Sequence, residues 1–262
     1  MVTSAHRAEA RPLLDLWTVI TGASKGIGLG IAHAFVTAGA NVVLVARDAT
    51  ALERARDELR DLAAPSQQLA TISADMADPD AIAQLFESLG NEIPQLDIVV
   101  ANAGSGTVTP FLEIPLAEWD RTIALNLTGA FLCCQHAARA MAATASENGA
   151  ILVVSSIRAG GVRPGRLAYS VTKAGLNQLV RVAAFELAPL GIRVNALSPG
   201  ITETPLALET NPQIFAEAVE TVPLRRAGTP ADMASAAVYL CSPAAKFVTG
   251  ANLVVDGGES LW

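Results

Sequence analysis

Short runs of apolar, often β-branched residues alternate along the chain with longer stretches whose apolar residues recur at helical spacing. This pattern predicts strands at residues 18–21, 41–46, 69–73, 97–101, 150–155, 193–197 and 252–255. It predicts helices at residues 28–37, 49–63, 79–89, 116–143, 170–188 and 230–241. A further stretch, 202–222, mixes apolar and acidic residues and is predicted to form a helical lid.

The alternation of strands and helices predicts the fold class. Runs such as 42–45 and 151–154 within these strands are continuously apolar, which is typical of a sheet with helices on both faces. Repeated strand–helix units predict right-handed crossovers and a parallel, doubly wound seven-stranded α/β sheet. No linker-like segment divides the chain, so we expect a single domain over residues 13–262. Residues 1–12 are polar and lack the apolar core of a signal peptide, so we expect a flexible N-terminal extension.

Composition narrows the classes of protein. The 262 residues are 51% apolar and 16% charged, which excludes a disordered chain and implies a large core. A net charge of −7 argues against a nucleic-acid partner. The longest uncharged stretch, 122–138, contains polar residues and is too short for a bilayer span, so we expect no membrane partner. The spacing of Cys133, Cys134 and Cys241 indicates neither a disulfide framework nor a metal site, which favours a cytoplasmic location.

Two of the predicted helices carry more apolar surface than one sheet face can cover. Stretches 122–143 and 170–188 are apolar on several sides, and such helices need burial on several sides. We therefore expect a homo-oligomer, a dimer or a tetramer, that forms through these two helices. The alternative is a thicker core within one monomer.

A glycine-rich turn follows the first predicted strand and leads into the first helix. Glycines let the backbone approach a pyrophosphate, and a helix N-terminus supplies free N–H groups and a positive dipole end. The spacing is G-x-x-x-G-x-G, and the turn lacks the Gly-Lys-Ser/Thr of a Walker A loop. We therefore predict a dinucleotide site with contacts from Gly22, Ser24, Lys25, Gly26, Ile27 and Gly28.

The end of the second predicted strand indicates which dinucleotide is bound. An acidic residue about 20 positions after the glycines binds a ribose 2′-hydroxyl, whereas an Arg accommodates a 2′-phosphate. Ala46 occupies the acidic position, Arg47 follows it, and Lys25 adds a second positive charge. We therefore predict NADP(H) in preference to NAD(H). Asp48 is evidence against this preference, because it could bind the ribose 2′-hydroxyl of NAD(H) instead. The structural alternative for Arg47 is a surface ion pair with Asp48 or Glu53.

A tyrosine and a lysine four residues apart form the candidate catalytic pair. On a helix Tyr169 and Lys173 share a face. A free tyrosine has a pKa of about 10, and a neighbouring ammonium lowers the pKa and suits the phenol to proton transfer. Ser155 and Ser156 end a predicted strand at the sheet edge where ligands bind, and strand alternation lets at most one of them face a substrate.

The ordered set of motifs resembles that of single-domain short-chain dehydrogenases/reductases, the group that includes 3-oxoacyl-carrier-protein reductases and sugar or polyol dehydrogenases. The resemblance covers residues 14–258 and implies a Rossmann-like fold. It also implies an oxidoreductase that transfers hydride between NADP(H) and a carbonyl or secondary alcohol. The motifs are Thr21–Gly28, Asp75-Met76, Asn102-Ala103-Gly104, Asn126, Ser156, Tyr169 with Lys173, Pro199-Gly200 and Asp256-Gly257-Gly258.

The resemblance also implies a role for each matching residue. Tyr169 would be the general acid in reduction and the base in oxidation, and Lys173 would lower its pKa and bind the nicotinamide ribose. Ser156, thirteen residues before the tyrosine, would polarise the carbonyl group. Asn126 would hold a water in the proton relay. The remaining implied cofactor contacts are Asp75, Met76, Asn102, Gly104, Pro199, Gly200, Thr202 and Thr204.

Each of these residues also has a purely structural interpretation. Ser156 could cap the next turn. Asn126 could be a buried amide that ties two elements together, and both interpretations of Asn126 can hold at once. Asp75 could begin the turn that precedes helix 79–89.

The substrate is less constrained by the sequence. Arg158, Arg163 and Arg166 lie close to the predicted pocket and could bind a carboxylate or phosphate, although a solvated charged loop is the more common situation. The apolar residues of the lid favour a partly hydrophobic ketone or alcohol. The alternative functions are a non-catalytic NADP(H)-binding sensor and an epimerase or dehydratase on a related scaffold.

Overall fold

The computed structural model describes residues 11–144, 146, 149–210 and 212–261. Most of the predicted N-terminal extension, residues 1–10, lies outside this range. The described residues form one parallel seven-stranded sheet, as the sequence predicts, and its strand order is β3-β2-β1-β4-β5-β6-β7. The strands are β1 Trp17–Thr21, β2 Asn41–Ala46, β3 Leu69–Ser73, β4 Ile98–Ala101, β5 Ala150–Val154, β6 Arg193–Pro199 and β7 Asn252–Val255.

Helices connect the strands and cover both faces of the sheet. They are α1 Gly26–Thr37, α2 Ala49–Arg60, α3 Pro79–Glu92, α4 Leu116–Ile123, α5 Gly129–Thr144, α6 Leu167–Leu187, α7 Pro205–Thr210, α8 Pro212–Thr221 and α9 Pro230–Cys241. One core cluster joins the sheet to α3, α5 and α6, and the other joins it to α1, α2 and α9. Strands β2, β4 and β5 are almost entirely apolar because both of their faces are buried.

The strand order creates the place where a ligand can bind. After β3 the chain returns to the far side of β1 to form β4, so the loops after β1 and β4 leave the sheet in opposite directions. A crevice therefore opens at the carboxyl ends of these two strands.

The prediction of a single helix over residues 116–143 is wrong in one respect. Between α4 and α5 the residues Ala124–Thr128 form a π-helical turn, in which the N–H of Gly129 donates to the carbonyl of Ala124, five residues earlier. Periodicity does not reveal this turn, because its flanks keep the same apolar pattern. It lies beside the crevice, as π-turns at functional sites commonly do.

Other element ends differ from the predictions by a few residues. Helix α1 begins at Gly26 and α6 at Leu167, each before the predicted start, while α2 ends at Arg60 instead of residue 63. The predicted lid consists of two helices, α7 and α8. Within the described ranges, no helix combines the length and hydropathy that a membrane span requires.

Candidate active site

A cleft of about 900 Å³ opens at the carboxyl ends of the strands. Most residues predicted for the cofactor and the catalytic group line it, from Gly22 after β1 to Thr204 before α7. Gly28 and Asn126 are the exceptions, because they lie behind its surface. The topology therefore brings together residues that are more than 150 positions apart in the chain.

The glycine-rich turn forms a close-fitting cradle at the start of α1. Gly22 and Gly26 have φ values of +66° and +60°, a region that side chains disfavour. A Cβ on Gly28 would lie 2.3 Å from the carbonyl oxygen of Gly22, so only glycine allows this close approach. Lys25 occupies the N-cap position, and its side chain makes no capping hydrogen bond. The cradle therefore presents the helix N-terminus to the cleft and fits the diphosphate of a dinucleotide.

The side chain of Asn102 supports this cradle from the neighbouring strand. Its amide nitrogen donates to the backbone oxygens of Thr21 (2.9 Å) and Gly22 (3.2 Å). The hydroxyl of Thr21 accepts hydrogen bonds from the N–H groups of Asn102 and Ala103, both at 3.0 Å. Asn102 therefore fixes the turn after β1 as well as lining the cleft.

The residues after β2 and β3 line the far end of the cleft. The guanidinium of Arg47 lies 4.0 Å from a carboxylate oxygen of Asp75 and is largely exposed. Asp48, the residue that could compete for a ribose hydroxyl, instead caps α2 by accepting the N–H of Ala51 at 3.0 Å. Glu53 pairs with Arg56. The ion pair considered for Arg47 with Asp48 or Glu53 is thus replaced by one with Asp75.

Asp75 and Met76 also have structural roles in the turn after β3. A carboxylate oxygen of Asp75 accepts the N–H of Ala77 at 3.0 Å, which forms the expected turn before α3. Met76 is buried, and a Cβ on Gly129 would lie 1.9 Å from its carbonyl oxygen. The tight contact holds the start of α5 against this turn.

The two serines at the end of β5 face different ways. The hydroxyl of Ser155 donates to the backbone oxygen of Lys173 at 3.2 Å within the core. The hydroxyl of Ser156 accepts the N–H of Arg158 at 3.1 Å and lies at the cleft. Both the capping interpretation of Ser156 and its position at the cleft are therefore correct.

Tyr169 and Lys173 lie side by side on the first turns of α6. The lysine Nζ is 5.5 Å from the centre of the tyrosine ring. It donates to the backbone oxygen of Val154 at 2.7 Å. Burial lowers the pKa of Lys173 to about 8. The ammonium is therefore held at the end of β5, close to the phenol ring.

Two opposing effects act on the phenol of Tyr169. Burial is the larger and raises its pKa above the usual value. A hydrogen bond with the hydroxyl of Ser156 lowers the pKa, and so do the positive charges of Arg166 and Arg158. The arginines of the loop before α6 therefore act on the phenol, an influence that the sequence did not indicate.

Asn126 is buried in the π-helical turn behind the cleft. Its oxygen accepts the N–H of Ser105 at 2.9 Å, and its amide nitrogen donates to the carbonyl of Ser105 at 2.7 Å and to the hydroxyl of Thr172 at 3.3 Å. These bonds tie the loop after β4 to α6, which is the structural interpretation of this residue.

The end of β6 and the loop that follows it also line the cleft. Pro199 and Gly200 line the cleft. Thr202 is buried, and its hydroxyl donates to the backbone oxygen of Gly200 at 3.0 Å. Thr204 accepts the N–H of Ala207 at 3.2 Å, and its methyl carbon would lie 3.4 Å from a Cβ on Gly26. The loop thereby closes over the glycine cradle.

Gly106 is a functional candidate that the sequence reasoning missed. A Cβ at this position would lie 2.9 Å from Cδ2 of Tyr169 and 3.2 Å from Nη1 of Arg166. The backbone therefore passes directly against the phenol ring. The glycine run of the Asn102–Gly106 segment was a signal, but only the packing of this loop on α6 reveals the contact.

Glu259 is a second residue that sequence reasoning did not find. One of its carboxylate oxygens pairs with Arg158, and the other accepts the N–H of Ile201 at 2.8 Å. Its side chain is 7% exposed. This buried carboxylate joins the loop after β5 to the loop after β6. Because Arg158 and Glu259 are 101 residues apart, no local pattern could predict the pair.

The fold and this constellation agree with similarities to known proteins. A family model described as enoyl-(acyl carrier protein) reductase matches residues 22–260. A crystal structure of a short-chain type dehydrogenase/reductase from Mycobacterium marinum superposes with a TM-score of 0.89 at 34% identity, and the match covers 97% of this chain and 99% of that one. The chain belongs to the short-chain dehydrogenase/reductase family, whose members bind a nicotinamide cofactor.

Curated relatives of similar length are dehydrogenases. Galactitol 2-dehydrogenase (L-tagatose-forming) of Cereibacter sphaeroides is 38% identical over 247 residues, which are 93% of this chain and 94% of the relative. Cis-4-hydroxycyclohexanecarboxylate dehydrogenase of Sinomonas cyclohexanicum is 39% identical over 241 residues, which are 92% and 94% of the two chains. The predicted family and fold are therefore confirmed.

Proposed function

We propose that the protein is an NADP(H)-dependent oxidoreductase that interconverts a secondary alcohol and its ketone. The observation that carries this proposal is the cluster of Ser156, Tyr169 and Lys173 in one cleft with the glycine cradle. A nicotinamide cofactor, when bound, supplies or takes up the hydride. Its dehydrogenase relatives support the same class of reaction.

The chain's own residues handle the proton and the orientation of the substrate. In reduction the phenol of Tyr169 donates a proton to the developing alkoxide oxygen, and in oxidation the phenolate accepts it. The hydroxyl of Ser156 holds the same oxygen by a hydrogen bond. Lys173 is anchored on Val154, and from there its ammonium holds a cofactor ribose and favours the phenolate.

The preference for NADP(H) rests on the far end of the cleft. Arg47 is largely exposed there, while the acidic competitor Asp48 is engaged in capping α2. Lys25 adds a second positive charge beside the cradle. A 2′-phosphate fits between these positive charges better than an unmodified ribose does, because guanidinium groups bind phosphate in a bidentate manner.

Replacement of the phenol hydroxyl tests the catalytic assignment. We expect Tyr169→Phe to lower turnover of a panel of ketones and alcohols by at least 10³-fold, because no other phenol faces Ser156, and to leave the Kd for NADPH within about twofold. Turnover is followed by NADPH absorbance and binding by NADPH fluorescence. Unchanged turnover would remove Tyr169 from the mechanism. Tight binding of NADPH by the wild type, with no turnover of any ketone, would favour the sensor.

A charge substitution tests the cofactor assignment separately. We expect Arg47→Ala to raise the Kd for NADPH about 10- to 100-fold and to change the Kd for NADH little, since only NADPH carries the 2′-phosphate. Arg60→Ala, at the exposed end of α2, is the matched control and should affect neither cofactor. Equal losses for NADPH and NADH in Arg47→Ala would refute the 2′-phosphate contact.

The predicted oligomer and the limits of the domain belong to the same proposal. Exposed apolar side chains on α5 and α6, among them Phe131 and Phe185, support an interface between copies of this chain. Light scattering measures the mass of the oligomer.

Leu13 is fully buried, and its N–H donates to the carbonyl of Ala38 at 3.0 Å, which supports a domain that begins near residue 13. The buried thiols fit the expected cytoplasmic location.

A further inference from the structure

The loop between β5 and α6 places three guanidinium groups on the substrate side of the cleft. Arg158, Arg163 and Arg166 all line it. The loop is fixed against the segment after β4, because the carbonyl of Gly165 accepts the N–H of Thr109 at 3.0 Å. These arginines are therefore part of a built wall.

Only one of the three arginines is neutralised within the described part of the chain. Arg158 pairs with Glu259, which is buried. For Arg163 and Arg166, the described residues provide no carboxylate within salt-bridge distance. Within the described residues, two positive charges that line the cleft thus have no carboxylate partner.

Arg166 lies in an environment that disfavours an unpaired cation. It is half-buried, and the one hydrogen bond that its guanidinium makes among the described residues goes to the carbonyl of Thr107 at 3.3 Å. Its pKa is lowered by burial first and by the charges of Arg163 and Arg158, while Tyr169 opposes this shift. An arginine in this position is stabilised by an anion that enters the cleft.

The acidic side chains around the cleft do not neutralise Arg163 and Arg166. Among the described residues the acidic side chains that line it are Asp48 and Asp75, which follow β2 and β3 at the other end. Glu118, on α4, accepts hydrogen bonds from the hydroxyls of Thr107 (2.5 Å) and Thr109 (2.9 Å).

The two lid helices, α7 and α8, contribute apolar side chains to the same cleft. Pro205, Ala207 and Phe215 of the two lid helices line it. A molecule that fills this cleft therefore meets apolar side chains as well as two guanidinium groups.

We propose that the substrate is an anionic secondary alcohol or ketone, with an apolar body and an oxyanion group that binds to Arg163 and Arg166. The inference rests on the proposed function, since the reacting carbon must lie at Tyr169 in the same cleft. It adds the class of substrate, which the catalytic residues alone leave open. Carboxylate and phosphate share the required chemistry, because both accept paired hydrogen bonds from guanidinium.

Matched ketones test the inference through selectivity. We expect kcat/KM for 4-oxocyclohexanecarboxylate to exceed that for its methyl ester at least tenfold, since only the acid can pair with the arginines. Arg163→Gln and Arg166→Gln should each lower this ratio about tenfold or more, mainly by raising KM for the acid. Arg60→Gln, an exposed arginine on α2, is the matched control and should keep the ratio. Efficient reduction of the ester with no preference for the acid would overturn the inference and leave the proposed function intact.

A binding measurement separates the anion site from catalysis. Calorimetric titration of cyclohexanecarboxylate, with and without NADP⁺, should show saturable binding that cyclohexanecarboxamide lacks and that Arg163→Gln weakens at least tenfold. A parallel titration with cyclohexyl phosphate shows which oxyanion is preferred. Saturable binding without turnover of any ketone would support the anion site and count against the proposed function. Absence of saturable binding by both anions would overturn the inference.

Discussion

The contact between Gly106 and the phenol ring makes a one-carbon perturbation informative. In Gly106→Ala the added Cβ would lie 2.9 Å from Cδ2 of Tyr169 and 3.2 Å from Nη1 of Arg166. Non-bonded carbons pack at about 3.5–4.0 Å, so the ring must move by about 0.6 Å or more. Displacements of about 1 Å at reacting groups can reduce rates about 10²-fold.

We therefore expect Gly106→Ala to lower kcat/KM for ketone reduction about 10- to 100-fold. The Kd for NADPH should stay within about twofold, because the substitution lies on the substrate side. The free energy of unfolding should change by no more than about 1 kcal/mol, since the φ of Gly106 lies outside the left-handed region and alanine restricts the unfolded chain. The corresponding shift in Tm is about 2–4 °C or less.

The chain provides a matched control in the neighbouring loop. Gly160 has φ −117° and ψ −21°, and a Cβ there would meet no atom within 4 Å. Steady-state kinetics, NADPH fluorescence and thermal denaturation are measured on both variants. If kcat/KM of Gly106→Ala is within twofold of that of Gly160→Ala, the position of the phenol does not depend on this contact and the geometric argument is refuted.

Two further predictions concern charge. Glu259→Gln should lower the free energy of unfolding by about 3 kcal/mol, because it leaves a partly buried Arg158 unpaired. Asp57→Asn, in the exposed pair with Arg60, should lower it by less than about 1 kcal/mol. Equal losses of stability for the two variants in chemical denaturation would contradict this. Burial raises the pKa of Tyr169, so the phenolate fraction is small at neutral pH, and kcat/KM for alcohol oxidation should rise from pH 7 to 9. The rise should be less steep above pH 8, because Lys173, with a pKa of about 8, loses there the positive charge that favours the phenolate. A flat oxidation profile between pH 7 and 8 would be inconsistent with Tyr169 as the base.

Local sequence pattern was sufficient for the strands. The bounds of β2, β3 and β7 agree with the prediction because continuously apolar or β-branched runs end sharply at polar residues. The parallel, doubly wound arrangement of the sheet also followed from the alternation of strands with helices. The glycine turn and the Tyr169–Lys173 pair were predictable for the same reason, since each depends on residues that are close in the sequence.

The parts that the sequence did not predict depend on contacts between distant segments. Glu259 meets Arg158 only after the loops following β5 and β6 are brought together. The closeness of Gly106 to Tyr169 depends on how one loop packs on α6. The π-helical turn was missed because a single extra residue in one turn hardly alters the apolar spacing of a long helix.

That extra residue has a consequence for how the segment tolerates insertions and deletions. One residue corresponds to a rotation of about 100° around a helix axis. The turn therefore lets α4 direct one face to the loop after β4 while α5 directs a different face into the core. Removing one residue would restore regular i to i−4 bonding and turn Asn126 away from Ser105, whose N–H it holds at 2.9 Å. The segment would thus become a more regular helix while the wall behind the cleft lost its anchor.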